Sequence, residues 1–323
     1  MTKQQPLLEV KNVKKYFPIK SGILKRTTGN VQAVKNVSID VYEGETLGVV
    51  GESGCGKSTF GRTILGLEEL TDGSIKFRGE EIGGLAEGKL KKFKKEMQMI
   101  FQDPYASLNP RQKVGDALEE AFIIHTTLPK IERLKRVREL LVEVGLQEEH
   151  YERYPHEFSG GQRQRIGIAR AIALNPSLIV CDEAVSALDV SVQAQIIKLL
   201  KKIQESHQLT YLFISHDLGV VRHVCDRVLV MYLGATAELG SSKQLYENPL
   251  HPYTRALLSA IPRPIPGRKK ERVMLKGELP NPSNYPTGCP FHTRCPIAQE
   301  HCKTVVPEWR EIEDGHFVAC HEV

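Results

Sequence analysis

A glycine-rich segment between two apolar stretches constrains the fold of this chain more than any other feature. Residues 51–58, Gly-Glu-Ser-Gly-Cys-Gly-Lys-Ser, fit the phosphate-loop pattern G-x-x-x-x-G-K-[ST]. They follow the short apolar run Thr46–Val50 and precede the apolar residues between Phe60 and Leu67. A buried strand, a glycine loop and a helix in this order are the context in which the pattern binds phosphates. The alternative, a glycine-rich turn in an unrelated enzyme, does not account for that context.

The residues of this loop have distinct chemical roles in a nucleotide site. Glycines let successive backbone N–H groups point at phosphate oxygens, and a helix that begins near Lys57 adds its positive end. Lys57 supplies a charge to the β- and γ-phosphates, and Ser58 supplies a hydroxyl ligand for Mg²⁺. The predicted nucleotide-binding residues here are Gly51, Ser53, Gly54, Cys55, Gly56, Lys57, Ser58 and Thr59.

Short apolar runs predict buried parallel strands. Besides Thr46–Val50 these are residues 177–181 and 210–214, and the apolar residues between the last two recur at helical spacing. Strand, helix and strand with short joins predict a parallel sheet. Residues 7–50 instead show alternating apolar residues, separated by a polar stretch from 20 to 30 that is typical of a hairpin loop.

Changes in sequence texture predict the domain organisation. Between about residues 103 and 159 the strand signal disappears and helical periodicity replaces it, and after about residue 240 frequent prolines disfavour long helices. We therefore expect an α/β fold with a mainly parallel sheet. Its predicted parts are a core with an antiparallel β subdomain (residues 1–102 and 160–240), a helical subdomain (103–159) and a proline-rich, cysteine-containing C-terminal extension (241–323).

An acidic pair follows the second buried run. Asp182 is placed to hold Mg²⁺ through water, and Glu183 is placed to polarise an attacking water as a general base. An acidic strand end without a catalytic role is the plain alternative. Together with the phosphate loop, the pair indicates an enzyme that hydrolyses a nucleotide.

The segment Phe158-Ser-Gly-Gly-Gln162 resembles the LSGGQ signature of ATP-binding-cassette (ABC) ATPases. The resemblance implies an ABC-type, RecA-like P-loop core in which the signature of one subunit closes over ATP held by the other. The residues that it assigns to this contact are Ser159, Gly160, Gly161 and Gln162. Phe158 in place of the usual leucine, and Ala184-Val185 in place of the common Pro-Thr/Ser, depart from the family pattern but spare the phosphate-facing groups.

Other family positions occur in the expected order. Gln102 resembles the Q-loop glutamine that touches Mg²⁺, Asp189 closes a segment similar to the D-loop, and His216 resembles the switch histidine that contacts the γ-phosphate. Tyr16 or Phe17 is similar to the aromatic residue that stacks on adenine. The resemblance thus implies Lys57, Glu183 and His216 as catalytic residues and Ser58, Gln102 and Asp182 as the Mg²⁺ site. Taken singly each residue has an ordinary structural interpretation, but the ordered set favours the functional one.

Longer stretches narrow the resemblance to ATPase subunits of bacterial oligopeptide and dipeptide importers. Residues 101–110 and 182–189 resemble especially the F-type member of a D/F pair, and residues 247–257 resemble the C-terminal tail of these ATPase subunits. The resemblance implies a second, non-identical ATPase subunit, two multi-span permease subunits and, indirectly, an extracytoplasmic peptide-binding protein. No apolar run is long enough to span a bilayer and the start lacks a signal-peptide layout, so we expect the chain at the cytoplasmic face of the membrane.

Two other function classes stay open at this point. An importer of nickel or another solute shares the tail, and a soluble ABC ATPase acting on nucleic acid or ribosomes shares the core. The second class is disfavoured by the single phosphate loop and the lack of a heptad run. The basic segments Lys89–Lys95 and Arg268–Arg272 lack a stacking array of aromatic residues, which favours a solvated face or linker, so we expect no nucleic-acid partner. The net charge of +5 neither requires nor excludes one.

Four of the seven cysteines lie close together in the proline-rich tail: Cys289, Cys295, Cys302 and Cys320. The tail has little apolar content, which suggests that something other than a core organises it. Four thiolates can hold a [4Fe–4S] cluster or zinc, and zinc sites favour C-x(2–4)-C pairs that are missing here. Because the stretch also resembles the cluster-binding tail of dipeptide importer ATPases, we expect a structural iron–sulfur cluster, with zinc or free thiols as alternatives.

Overall fold

The computed structural model describes residues 5–21, 26–105, 107–261, 275 and 277–323. It divides the chain into two compact units, which we call the terminal unit (residues 1–85 and 215–323) and the central unit (residues 86–214). The predicted basic segment Arg268–Arg272 lies outside the described residues. Within the part of the chain that is described, no helix is long and apolar enough to cross a membrane.

The terminal unit contains most of the strands. They are β1 (Leu8–Ser21), β2 (Arg26–Val41), β3 (Thr46–Val50), β4 (Asp72–Phe77), β5 (Glu80–Glu81), β9 (Arg227–Tyr232), β10 (Ala235–Ser241), β11 (Arg310–Glu313) and β12 (His316–Val318). Its helices are α1 (Lys57–Ile64), α7 (Leu218–Val224), α8 (Ser242–Glu247) and α9 (Pro252–Ser259), with a 3-10 turn at Glu300–Lys303.

The central unit contains most of the helices. These are α2 (Glu87–Leu90), α3 (Val114–His125), α4 (Lys130–Glu143), α5 (Gly160–Ile172) and α6 (Val190–His207), with 3-10 turns at Phe93–Lys95, Glu148–Glu152 and Pro155–Glu157. Its strands are β6 (Met97–Ile100), β7 (Leu178–Asp182) and β8 (Thr210–Ser215), the last of which ends where the terminal unit resumes.

An antiparallel sheet with the strand order β2-β1-β4-β5 forms one part of the terminal unit. The predicted hairpin loop from residue 20 to 30 is wrong at both ends, because Lys20 pairs with Thr27 and β2 begins at Arg26. The first residues of β2 are exposed. Exposed strand ends bury no face, so they carry no apolar alternation and their sequence is typical of a loop.

The other strands of the terminal unit are arranged in the order β11-β12-β10-β9-β3. The five residues of β3 are all buried, and β3 runs parallel to β9. The glycine-rich loop follows the carboxyl end of β3 and leads into α1. This is the edge of a parallel sheet at which ligands bind in open α/β folds.

The central unit confirms the predicted alternation of strands and helices. β6, β7 and β8 pair in parallel, and every residue of β7 is buried. The 18-residue helix α6 joins β7 to β8 and buries Ile196, Leu199, Leu200 and Ile203, as its periodicity predicts. The described residues between 103 and 159 form helices and turns without a strand. The α/β prediction is therefore correct.

The C-terminal tail packs against the strands of the terminal unit, which the sequence does not predict. β12 pairs with β10, so the tail continues the strands of the terminal unit. Phe291 is only 1% exposed, and its ring centroid lies 5.1 Å from that of Tyr232 and 5.4 Å from that of Tyr253. Apolar packing and strand pairing therefore organise the tail.

A buried polar group fixes the entry to the tail at α9. His251 precedes this helix, and its Nδ1 accepts a hydrogen bond from the Tyr253 N–H at 3.0 Å. Burial lowers the pKa of His251 to about 4, against the opposing effect of the neighbouring Glu238 carboxylate. Glu238 accepts hydrogen bonds from the backbone N–H groups of Leu250 and His251 and contacts His316 at 2.8 Å. His251 is therefore neutral in the folded protein at neutral pH.

We expect the folded tail to lose stability in mild acid because of His251. The unfolded chain takes up a proton on this ring near pH 6.5, whereas the folded chain does so only near pH 4. The free energy of unfolding should fall by about 3 kcal/mol across that window. Urea unfolding at several pH values, followed by the fluorescence of Trp309, the only tryptophan, measures this loss.

His251→Asn is the matched control, since its amide oxygen can still cap α9 but cannot titrate. Its unfolding free energy should fall less steeply with acid than that of the wild type over the same pH window. Parallel pH dependences for the two proteins would contradict the role of His251.

Candidate functional site

The glycine-rich loop places Lys57 at its centre. Lys57 is only 4% exposed, and its Nζ donates hydrogen bonds to the carbonyl oxygens of Gly51 at 2.9 Å and Glu52 at 3.0 Å. These contacts fold the side chain back over the loop that precedes it. The ammonium group is thereby held beside the backbone that the sequence predicts as the phosphate cradle.

Gly56 is the residue of the loop that most needs to be glycine. Its φ is +98°, and a Cβ built there would lie 2.0 Å from the Ala33 carbonyl oxygen of β2. The next residue back is also tied down, because the Cys55 carbonyl accepts a hydrogen bond from the Gly234 N–H at 2.8 Å. Close backbone contacts on both sides therefore fix the loop just before α1.

Cys55 belongs to the packing of the loop. Its side chain is 1% exposed, and burial raises the pKa of its thiol. A buried, protonated thiol is a poor nucleophile. We therefore assign no chemical step to Cys55, although its backbone remains a predicted part of the phosphate loop.

The predicted acidic pair lies at the carboxyl end of β7. Asp182 is 1% exposed, and Glu183 has the left-handed conformation with φ at +48°. The Glu183 N–H donates to the Ile214 carbonyl at 3.0 Å, and its own carbonyl accepts from the Ser186 N–H at 3.0 Å. A left-handed backbone conformation is unfavourable for residues other than glycine, and where such residues adopt it they often lie at functional sites. The chain turns sharply at Glu183, and the two backbone hydrogen bonds fix the point from which its side chain extends.

Gln102 and Glu183 meet in the central unit. The Gln102 Nε2 donates a hydrogen bond to the Glu183 Oε2 at 3.0 Å across a sequence separation of 81 residues. Gln102 follows β6, which pairs in parallel with β7, so both side chains emerge at the same sheet edge. The structure thus brings together two residues that the sequence analysis identified on separate grounds.

The predicted signature segment starts α5. Ser159 is the N-cap, and its hydroxyl accepts a hydrogen bond from the Gln162 N–H at 3.3 Å. The Gln162 side-chain oxygen in turn accepts from the Ser159 N–H at 3.0 Å, which completes a capping box. Ser159 and Gly160 are exposed, and a Cβ on Gly161 would lie 2.5 Å from Val192 Cγ1. The segment therefore offers its backbone and hydroxyl groups at an open helix start.

The residues that depart from the family pattern are buried apolar groups. Phe158 is 3% exposed and packs edge-on against His150, with ring centroids 5.2 Å apart. Ala184 and Val185 are 2% and 3% exposed. All three occupy the interior of the central unit and leave the polar site groups in place.

The remaining predicted site residues occupy separate places in the two units. Asp189 is the exposed N-cap residue of α6 in the central unit. His216 is exposed directly after β8 in the terminal unit, beside Asp217, which caps α7. Tyr16 and Phe17 are half-buried neighbours in β1, and the Lys15 ammonium lies 4.6 Å from the Phe17 ring centroid.

Sequence reasoning missed two residues that contact Glu52 of the phosphate loop, Arg294 and Tyr253. Arg294 forms two hydrogen bonds with the Glu52 carboxylate, and the Tyr253 hydroxyl accepts from the Glu52 N–H at 2.8 Å. The phosphate-loop pattern leaves position 52 free, and its partners lie more than 200 residues away in the sequence. No local signal in the sequence connects them.

Comparisons with known proteins agree on a transport ATPase. Residues 34–186 match the family described as ABC transporter, and residues 237–302 match the oligopeptide/dipeptide transporter C-terminal region. The chain is 58% identical over 321 residues to the oligopeptide transport ATP-binding protein AppF of Bacillus subtilis (strain 168), covering 98% of each chain. It is 50% identical over 317 residues to the di/tripeptide transport ATP-binding protein DppF of Pseudomonas aeruginosa (strain UCBPP-PA14), again covering 98% of each.

A solved structure shows the same architecture. A dimeric, post-hydrolysis state of the ATP-binding cassette MJ0796 with ADP and Pi superposes with a TM-score of 0.65 and 31% identity. The superposition covers 73% of this chain and 98% of that one. CbiO1 of Clostridium perfringens, part of the ABC transporter complex cbiONQ, gives a TM-score of 0.65 at 26% identity, over 76% of this chain and 92% of that one.

The predicted iron–sulfur cluster at Cys289, Cys295, Cys302 and Cys320 is wrong. Among the described residues, the ligand atoms that converge within 4.8 Å belong to His301, Cys302 and Glu322, a group that holds one of the four cysteines. The names of the relatives mention peptide transport and no cluster. The zinc alternative lacks support for the same geometric reason.

Proposed function

The chain belongs to the ABC transporter family, among the ATP-binding subunits of oligopeptide and dipeptide transporters, and we propose that it hydrolyses ATP to energise peptide uptake across the cytoplasmic membrane. The ABC-type fold expected from the signature segment is confirmed by the solved relatives. The observation that carries the chemical part of the proposal is the Gln102–Glu183 contact at the end of β7. The peptide cargo is supported by the full-length similarity to peptide transporters.

Phosphate binding is assigned to the loop between β3 and α1. Its N–H groups and the start of α1 offer positive partial charge, and Lys57 leaves its two carbonyl partners to contact the β- and γ-phosphates. Tyr16 or Phe17 stacks on the adenine in this assignment. The geometry of the loop supports the assignment of phosphate binding, since the backbone contacts of Gly56 and Cys55 fix the loop just before α1.

The proposed Mg²⁺ ligands are Ser58, Gln102 and Asp182. All three offer oxygen atoms, which are the ligands that Mg²⁺ prefers. Asp182 lies buried at a strand end, where a carboxylate needs a cation or hydrogen bonds to compensate the loss of water. When bound, Mg²⁺ would neutralise the negative charge that develops on the phosphates during hydrolysis. The chemistry of the donor set therefore fits the ion.

Glu183 is the proposed general base, which accepts a proton from the attacking water. Gln102 donates a hydrogen bond to the Oε2 atom of Glu183 at 3.0 Å, and the left-handed backbone at Glu183 fixes the direction of its side chain. His216 and Lys57 are proposed to stabilise the γ-phosphate from the terminal unit.

As an ATPase of this family the chain works with membrane permease subunits and another ATPase subunit. We propose in detail a non-identical sister subunit, two multi-span permeases and an extracytoplasmic peptide-binding protein, with this chain at the cytoplasmic face of the membrane. In this arrangement, which we call the nucleotide sandwich, the signature segment of each ATPase subunit closes over the ATP held by the other. The exposed start of α5 supports it. The residues that would face the ATP of the sister subunit are Ser159, Gly160, Gly161, Gln162 and Asp189.

The division into functional parts stays a proposal from the sequence. In it residues 1–102 and 160–240 form the ATPase core, residues 103–159 the helical subdomain and residues 241–323 the extension. The helices α3 and α4 of the second part and the paired strands β10 and β12 that join the third to the core are consistent with this division.

We expect the purified chain alone to hydrolyse ATP slowly. Its phosphate loop requires a signature segment from another subunit, and its motion is coupled to the permeases. Adding the sister ATPase and the permeases in vesicles should raise the ATPase rate, and binding protein loaded with peptide should raise it further. If the dilute, monomeric chain hydrolysed ATP as fast as the complete transporter, the nucleotide sandwich would be contradicted. If a binding protein loaded with nickel stimulated hydrolysis and one loaded with peptide did not, the peptide cargo would be contradicted.

A further inference from the structure

A side chain of the C-terminal tail reaches directly into the phosphate loop. The two terminal nitrogens of Arg294 donate hydrogen bonds to the two carboxylate oxygens of Glu52, at 2.6 Å from Nη1 and 3.0 Å from Nη2. Glu52 follows Gly51, the first glycine of the loop, and lies 242 positions before Arg294. Paired, parallel N–H···O bonds of this kind are the strongest and most directional contact between arginine and a carboxylate.

The pair is shielded from water more than an ordinary surface ion pair. The Arg294 side chain is 8% exposed and that of Glu52 is 29% exposed. Exposed ion pairs contribute little because water and salt screen them, whereas a shielded pair with two good hydrogen bonds constrains both partners. The Arg294 guanidinium also lies 5.9 Å from the Tyr232 ring centroid, within reach of a cation–π contact.

Glu52 is held at a second point by the same part of the chain. Its backbone N–H donates to the Tyr253 hydroxyl at 2.8 Å, while its carbonyl oxygen accepts from Lys57 Nζ at 3.0 Å. Tyr253 lies in α9 and packs with Tyr232 and Phe291 in one aromatic cluster. The tail therefore determines where the Glu52 side chain and peptide group lie, and the Glu52 carbonyl in turn contacts Lys57.

We propose that Arg294 is a positioning residue for ATP binding, which acts through Glu52 to hold the phosphate loop in the conformation that receives the phosphates. The proposal rests on the proposed role of the loop. Without the two bonds, the Glu52 carboxylate loses the paired side-chain contact that the described part of the tail provides, and the loop backbone gains freedom that ATP binding must then remove. The C-terminal extension is in this way a working part of the nucleotide site.

The test is the affinity of the full chain for ATP with Mg²⁺. Loss of a charge-assisted pair predicts that Arg294→Ala and Glu52→Gln each weaken binding by about tenfold. Arg294→Lys should fall between, because an ammonium group cannot form the paired bonds. The swap Glu52→Arg with Arg294→Glu should recover part of the affinity, which a general loosening of the tail would not allow. In the assembled transporter, KM for ATP should rise while kcat changes little, since Glu183 and Gln102 are untouched.

Arg310→Ala is the matched control. Arg310 donates within the tail, to the Cys320 carbonyl at 3.1 Å and to the terminal Val323, so its loss perturbs the tail but not the loop. ATP affinity should stay at the wild-type value, and Trp309 fluorescence reports whether either variant unfolds the tail. Wild-type or tighter ATP binding by Arg294→Ala, or equal weakening by Arg310→Ala, would overturn the proposal. Lys57→Ala separates the two questions: if it binds ATP normally, the assignment of the loop itself fails.

Discussion

Replacing Glu183 by glutamine is expected to slow steady-state ATP hydrolysis by about 10²- to 10⁴-fold, while ATP still binds. The change removes the carboxylate that accepts the proton of the attacking water. It leaves an oxygen that can still accept the hydrogen bond from Gln102, and it leaves Lys57 and Asp182 in place. The measurement is turnover of the assembled transporter together with ATP affinity of the same preparation.

Glu205→Gln is the control for the loss of charge. Glu205 is an exposed residue of α6 in the same unit, away from the end of β7. Its variant should hydrolyse ATP at the wild-type rate. Hydrolysis by Glu183→Gln within a few-fold of the wild type would show that another group acts as the base, whereas loss of both hydrolysis and ATP binding would point to a structural role.

Gly56→Ala should remove most of the ATP binding. The new Cβ would lie 2.0 Å from the Ala33 carbonyl oxygen, and the residue would have to keep a φ of +98°. The conformational strain alone is about 1–2 kcal/mol, and a backbone clash cannot be relieved by a side-chain rotation. The loop must therefore move, which displaces the N–H groups aimed at the phosphates. We expect affinity for ATP to fall on the order of a hundredfold or more.

Gly54→Ala separates the clash from the strain. Gly54 also has a positive φ, +77°, but a Cβ there would meet nothing within 4 Å. Its variant should lose about tenfold in affinity, the strain without the clash. Thermal unfolding of both variants checks that the terminal unit is folded. Equal affinities for the two variants would contradict the importance of the Ala33 contact.

The parts of the fold that the sequence predicts well are those specified by neighbouring residues. The strand Thr46–Val50 and the helix from Lys57 match the structure because burial and helix initiation leave local patterns. The Gln102–Glu183 contact is also foreseeable in part, since the two residues follow neighbouring parallel strands and the ends of such strands meet at one edge.

The tail illustrates where local patterns fail. Its four cysteines suggest a metal centre by their number and by a family resemblance, but neither determines whether the sulfur atoms converge. Cys320 instead packs with Leu250 and Val318 as a small apolar residue. Likewise, Arg294 reaches Glu52 because Phe291 packs against Tyr232. That packing depends on how a segment about 242 positions away in the sequence folds. Only the three-dimensional structure contains that information.

The way the tail ends the row of strands bears on how the protein behaves at high concentration. β12 covers the outer side of β10, and β11 then becomes the last strand. All four residues of β11, Arg-Glu-Ile-Glu, are exposed, and most are charged. Open backbone edges recruit other chains into sheets, and short, charged last strands discourage this. The C-terminal extension, which contacts the phosphate loop through Arg294, therefore also protects this edge of the sheet against pairing with another chain.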